Sequence, residues 1–132
     1  ERSEKGLERA VDRRLERWQR IALEASQQSR RDRLPEITGV LSFRAAATEA
    51  TGLRLFADEV PNVSPIGASL PAAPENGAEV AVLIGPEGGW TDGERSLAAE
   101  RGWKSVSLGP LVLRTETAAL AAAACLQDHW LR

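Results

Sequence analysis

Val80-Ala-Val-Leu-Ile84-Gly-Pro-Glu-Gly-Gly89-Trp-Thr-Asp-Gly-Glu94 is the stretch that decides the fold. Its first five residues are all apolar, which predicts a strand covered on both faces, as in a parallel sheet. Gly85-Pro86-Glu87-Gly88-Gly89 ends the strand. Three glycines there permit positive φ and leave the backbone bare to a neighbouring molecule. Thr91 is a good helix N-cap, and Glu94 three residues on completes a capping box. Strand, glycine turn and helix start together place a binding loop at the carboxyl end of a strand, where open α/β sheets take their ligands.

The same logic repeats downstream. Lys104–Leu108 is strand-like, Gly109-Pro110 breaks it, and Leu111–Thr117 leads into an alanine-rich helix from about 116 to 130. Upstream, Leu53–Ala57 predicts another strand, preceded by Gly52 and by a helix running from a Ser42 cap to about Ala50. Pro35–Gly39 is expected to form a short strand, with Leu34-Pro35 stopping the helix before it. Leu7, Ala10/Val11, Leu15, Trp18, Ile21/Ala22 and Ala25 recur at three- and four-residue steps, an amphipathic helix over most of 8–28. Residues 58–79 hold four prolines and two glycines, a long connection with room for one helical turn. Helix 92–101 is expected to close on Gly102. Strands alternating with helices predict an α/β fold around a parallel sheet. The last helix carries alanine at 118, 119, 121, 122, 123 and 124, apolar nearly all round. Such a helix is expected to be buried, in part by a second copy of the chain, which predicts a homodimer.

Composition narrows the class. At 132 residues with 42% apolar and 27% charged content, one globular domain is the natural count. No run approaches the ~18 apolar residues of a membrane span. The single Cys125 cannot form an internal disulfide, so a reducing, cytoplasmic setting is expected. The chain begins at Glu1 and holds no Met, which suggests a domain taken from a longer protein. Residues 1–33 carry ten Lys/Arg against seven Asp/Glu, whereas 34–132 carry seven against twelve. A basic front suits nucleic acid, though a solvated helix face with paired charges explains it as well; Arg30, Arg31 and Arg33 could grip phosphates, or complement the helix dipole and aid solubility.

Several chemistries are excluded by their missing parts. There is no Gly-Lys-Ser/Thr for a phosphate loop and no G-x-G-x-x-G, since Gly85, Gly88 and Gly89 have the wrong spacing. One His and one Cys cannot build an ordinary zinc site, so no metal is expected. No G-x-S-x-G offers a nucleophilic serine, and His129 reads as a helix-end residue. What remains beside the glycine loops is Arg114, with permanent charge and planar donors, and Glu116 at a helix start where a carboxylate is favoured. An Arg/Glu pair that merely caps the helix fits the same spacing.

Ile84-Gly-Pro-Glu-Gly-Gly89 together with Leu108-Gly-Pro-Leu-Val-Leu-Arg-Thr-Glu-Thr-Ala118 resembles the SPOUT class of RNA methyltransferases. Within it, the chain is similar to the bacterial small-subunit enzymes that methylate N3 of a uridine in 16S ribosomal RNA. Arg17–Ser29 and Pro35-Glu-Ile37 share that similarity, which covers nearly the whole chain. The resemblance implies S-adenosylmethionine as methyl donor and a C-terminal trefoil knot, an exception to the rule against knotted chains. It implies a cofactor site at Leu83, Ile84, Gly85, Pro86, Glu87, Gly88, Gly89, Leu108, Gly109, Leu113, Arg114, Thr115, Thr117 and Ala118, held largely by backbone groups. It further implies a dimer built partly from the last helix, and 16S ribosomal RNA in the small subunit as partner. Catalysis is assigned to Glu116, as base or orienter for the N3 proton, and to Arg114, as the group that steadies charge on uracil or phosphate.

The chain departs from the family at Leu111, where a basic residue is common. It is also expected to begin after the family's N-terminal RNA-binding β-domain and after the first strand and helix of the catalytic domain. A catalytically silent, knotted module for dimerisation and cofactor binding is therefore the competing reading. A generic nucleotide-binding α/β module is disfavoured, because both phosphate motifs are absent.

Overall fold

The computed structural model describes residues 2–73 and 79–130, with side chains described from residue 9 onward. It divides into two compact units, 1–42 and 43–132.

The first unit is built on α1, Arg2–Gln28, which starts earlier than the apolar pattern predicts. Its first turns are rich in Glu, Arg and Lys, good helix formers that need no apolar face. Along the expected stripe Val11, Leu15 and Ala22 are half-buried and Ser26 is buried, while Trp18 and Ile21 are about half exposed. The Leu7 side chain lies outside the described residues. The helix ends in a Schellman motif: the Arg31 N–H donates to Ser26 O (3.0 Å) and the Arg30 N–H to Gln27 O (3.3 Å), with Arg30 at φ 55°. Pro35–Gly39, expected as a strand, is irregular. Strand propensity describes a residue's fit to a pleated, half-buried surface. Here only Ile37 is even half-buried, and the segment joins no ladder.

The second unit is a three-layer α/β arrangement. Helix α2 (Phe43–Glu49) begins directly after Ser42. Strands β1 (Leu53–Ala57), β2 (Val80–Leu83) and β3 (Lys104–Val106) form a parallel sheet in the order β2-β1-β3. Leu55 stands opposite Val82 on one side and Lys104 on the other. The predicted parallel sheet is thus present, but β1, not β2, is its centre. Residues of β2 are therefore half-buried rather than fully covered.

Side-chain alternation assigns the two faces. Leu55 and Val106, with Leu53, Val80, Val82 and Ile84, pack under Ile66, Leu70, Ala122, Leu126 and Trp130. Phe56, Ala81 and Leu83 pack on the other side with Phe43, Ala47, Trp90, Ala98 and Trp103. Leu55 and Phe56 are 0% and 1% exposed, and each such burial contributes roughly 1.5–3 kcal/mol.

Helix α3 (Asp92–Glu100) starts on the expected capping box, with Thr91 N–H donating to Glu94 Oε2 (2.8 Å) and Glu94 N–H to Thr91 Oγ1 (3.2 Å). It closes on Gly102 at φ 80°, with Trp103 N–H reaching Ala98 O at 3.0 Å. The Trp103 indole N–H donates to Ala47 O (2.9 Å) and ties α3 to α2.

The long connection after β1 is anchored over its described length. Ile66 N–H donates to Ser107 O and Ser107 N–H to Ser64 O, beside a 3-10 turn at Ile66–Ser69. Pro71 O accepts from both His129 Nε2 (2.8 Å) and Trp130 Nε1 (3.3 Å), which makes His129 a helix-end tether. Pro74 and Gly77 lie outside the described residues.

Helix α4 (Thr115–Trp130) is apolar nearly all round, as expected, and a single chain covers only part of it. Ala118 and Ala122 are buried, but Ala119, Ala123 and Ala124 are exposed and Leu120 is 73% exposed. Within one chain α4 covers the sheet with one face only. Among the described residues no helix is long and apolar enough to cross a membrane.

Candidate active site

All three strands run the same way, so their carboxyl ends open onto one edge of the sheet. Three loops emerge there: Ala57–Glu59 after β1, Ile84–Trp90 after β2, and Leu108–Arg114 after β3. A pocket of about 570 Å3, part of it open to solvent, lies among them.

The β2 loop turns tightly, with Gly89 N–H donating to Pro86 O (2.9 Å) and Gly89 at φ 76°. A methyl group on Gly85 would lie 3.0 Å from the Trp90 indole, so only glycine fits without displacing that ring. The indole in turn stacks on Phe56 (centroids 4.6 Å apart) and donates to Ala57 O at 2.8 Å. The β3 loop is held by Ser107 Oγ, which accepts from Gly109 N–H at 3.1 Å, with Gly109 at φ 125°. The two glycine loops are joined directly: Thr115 Oγ1 at the start of α4 donates to Gly85 O (3.0 Å).

Of the residues expected at a cofactor site, Ile84, Gly85, Pro86, Gly89, Leu108, Gly109, Leu113 and Ala118 line the pocket. Thr115 borders it through its bond to Gly85. Leu83 points to the opposite face, into the Phe56–Trp90 cluster. Glu87 and Gly88 form the exposed tip of the β2 turn, and Thr117 is exposed on α4. Arg114 and Glu116 are both exposed at the start of α4 and make no ion pair with each other, and Glu116 holds the first-turn position of a helix-capping carboxylate. The Arg114 backbone is nonetheless fixed, since its carbonyl accepts from Ala118 N–H at 2.8 Å.

The sequence reading missed one wall. Ala57, Asp58, Glu59, Trp90, Arg95 and Leu111 also line the pocket. The Asp58 side chain is 3% exposed and takes two bonds from Arg95, Nε to Oδ2 (2.8 Å) and Nη2 to Oδ1 (3.2 Å). Arg95 also reaches Asp92 Oδ1 at 3.2 Å. Hydrogen bonding to Asp58 raises the Arg95 pKa above its ordinary value, against a smaller opposing effect of burial. A raised folded-state pKa means this contribution is complete below the ordinary arginine value and is lost only above it. A signal for Asp58 existed: it directly follows an apolar strand, and every strand of a parallel sheet ends at the same edge. Arg95, thirty-seven residues away, carries no local signal. Among the described residues no group of His, Cys, Asp and Glu could hold a metal ion.

The sequence matches the family model for the RNA methyltransferase domain over residues 1–127. It is 39% identical over 125 residues to the ribosomal RNA small subunit methyltransferase E of Synechocystis, covering 92% of this chain and 41% of that protein. The protein of that name from Aquifex aeolicus is 33% identical over 121 residues, covering 92% of this chain and 51% of its own. The chain thus spans about half the length of the curated relatives it matches. A crystal structure of the Neisseria gonorrhoeae ribosomal RNA small subunit methyltransferase E bound to S-adenosyl methionine superposes with a TM-score of 0.83 at 34% identity, over 92% of this chain and 50% of that one. A methyltransferase from Legionella pneumophila in complex with bound SAM gives a TM-score of 0.82 at 34% identity, over 92% and 48%. With a bare-backbone pocket at the carboxyl edge of its sheet and a family match over nearly its whole length, the chain belongs to the RNA methyltransferase domain family.

Proposed function

We propose that this chain is the catalytic part of a SPOUT-class enzyme that transfers a methyl group from S-adenosylmethionine to N3 of a uridine in 16S ribosomal RNA. The observation that carries this reading is the Thr115–Gly85 bond, which joins two glycine loops into one pocket. The lining fits the donor. Ile84, Leu108, Leu113 and Ala118 give apolar walls suited to an adenine ring, and bare backbone at Gly85, Gly89 and Gly109 offers polar groups without side-chain bulk. Glu59, exposed and at the rim, offers a carboxylate for an ammonium or a ribose hydroxyl. When bound, S-adenosylmethionine supplies an electrophilic methyl group on a sulfonium. The chain's own work is to hold donor and acceptor in line, to accept the N3 proton at the Glu116 carboxylate, and to offset charge on uracil or phosphate through Arg114.

Two further features belong to this reading. The resemblance to the SPOUT class and the apolar outward face of α4, where Leu120 is 73% exposed, support a second copy of the chain packing there. Leu111 and Val112, each 75% exposed, add to the apolar surface. Leu120→Asp is expected to leave a monomer in sedimentation; a dimer of unchanged strength would remove α4 from the interface. The trefoil knot is part of the same reading through the resemblance to the SPOUT class, and the strand order β2-β1-β3 is compatible with it. An experimental chain trace without threading would end that part. A cytoplasmic setting follows from a ribosomal substrate.

Calorimetric titration with S-adenosylmethionine tests the cofactor assignment. Heat of binding at micromolar concentration is expected. A chain that is folded and dimeric yet gives no heat would instead be the catalytically silent scaffold.

A further inference from the structure

We propose that the turn at the end of α1, Arg30–Arg33, is an RNA contact in its own right that grips backbone phosphates. The inference rests on the reading of the chain as an RNA-modifying enzyme. Its evidence lies wholly within residues 1–42.

An open groove is lined there by Arg30, Arg31, Asp32, Arg33, Leu34 and Pro35, all of them exposed. Three guanidiniums against one carboxylate leave it strongly positive. No ion pair neutralises Arg30, Arg31 or Arg33 among the described residues. Helix-dipole compensation accounts for only part of this charge: the last turn of α1 carries no basic residue, Arg30 and Arg31 follow closely on its terminal carbonyls, and Arg33 lies further out, where the effect has faded.

Backbone conformation adds a second argument. The Schellman motif that ends α1 puts Arg30 at φ 55°, in the left-handed region. The same motif ends α3 with Gly102 at φ 80°, the residue that adopts this conformation freely. A side chain there is disfavoured, because its Cβ crowds the following carbonyl oxygen. The chain thus places a cation at a strained position where its guanidinium is offered to solvent. The motif also fixes the turn: Arg31 N–H is bonded to Ser26 O, and Ser29 Oγ to Ala25 O at 2.8 Å. Pro35 restricts the far side of the groove. Planar guanidiniums carried on a fixed turn suit phosphate oxygens, which such forks bind with two hydrogen bonds each. The contact positions the RNA and reads no sequence, because phosphates carry none.

The test uses the chain with Arg30, Arg31 and Arg33 all changed to Gln, and a second variant with all three changed to Lys. Gln keeps the side-chain strain at position 30 and removes the charge; Lys keeps the charge. Binding of a fluorescently labelled RNA duplex is followed by anisotropy across a salt series. Each phosphate contact contributes about 0.7–0.9 to the slope of log affinity against log salt. Loss of three is expected to flatten the slope by roughly 2–3 in the Gln variant and to weaken binding at low salt by about tenfold or more. The Lys variant is expected to keep most of the slope. An unchanged slope in the Gln variant, an equal loss in the Lys variant, or no RNA binding by the unsubstituted chain would overturn the proposal. Calorimetry with S-adenosylmethionine on the same samples separates the two readings. Cofactor binding with an unmoved RNA slope refutes the groove alone. A flattened slope with no cofactor heat in any variant refutes the pocket alone.

Discussion

Glu116→Ala is expected to slow methyl transfer by about 10^2–10^4-fold, the range supplied by a positioned acid or base. Glu116 stands exposed in the first turn of α4, where the helix dipole favours a carboxylate. It makes no ion pair with Arg114, so it is free to take a proton from an incoming ring nitrogen. Arg114→Ala is expected to cost about 10^2–10^3-fold, as removal of one charge-stabilising donor does elsewhere. Arg114→Lys should recover only part of that, since Lys lacks the planar fork. Both side chains are exposed, so melting temperature and circular dichroism should stay within the usual range for surface substitutions, about ±0.5 kcal/mol. The check is single-turnover methyl transfer to small ribosomal subunits. Full activity in both alanine variants would dismiss the catalytic assignment while leaving the pocket intact.

Trp90→Ala is the substitution expected to damage the fold most. The indole stacks on Phe56 at 4.6 Å and 28°, tilts against Phe43 at 5.3 Å and 53°, and donates to Ala57 O at 2.8 Å. Truncation leaves a cavity beside the central strand, and changes of this size cost roughly 3–5 kcal/mol. For a chain of this length that lowers the melting temperature by roughly 10–20 °C. The wall of the pocket is lost with it, so S-adenosylmethionine binding should weaken even in the folded fraction. Gly85→Ala probes the same contact from the other side, because its methyl group would meet the ring at 3.0 Å. A Trp90→Ala chain that melts within a degree or two of the parent would show that the ring is not a structural wedge.

Much of this architecture could be read from the order of residues. Strand β2 announced itself by an unbroken apolar run ending at Gly85, β1 by a mostly apolar stretch ending at Asp58, β3 by alternating Val106 and Leu108 before Gly109, and α3 by Thr91 and Glu94, whose signals are local. One reading failed, and a second was met only in part within the single chain, for a shared reason. Pro35–Gly39 has strand-like composition but no neighbouring ladder. The alanines of α4 are apolar, yet one face of that helix is exposed within the chain. Hydropathy reports what a segment tolerates, while burial depends on what lies beside it. The Asp58–Arg95 wall escaped because the pair meets across thirty-seven residues, with only half of it at a position the sheet rules pick out. Loops flanking the pocket were legible because glycine marks bare backbone directly.

The Thr115–Gly85 bond also bears on how the molecule comes together. It joins residues thirty apart, and the remaining wall comes from a third strand end further upstream. Contacts so distant along the chain close late, after the entropy of the intervening loops has been spent. A partly folded chain therefore offers a small molecule nothing to hold, and ligand affinity belongs to the finished sheet alone. Mass action then ties occupancy to survival: at a hundred times the dissociation constant, a ligand adds about 2.7 kcal/mol against unfolding.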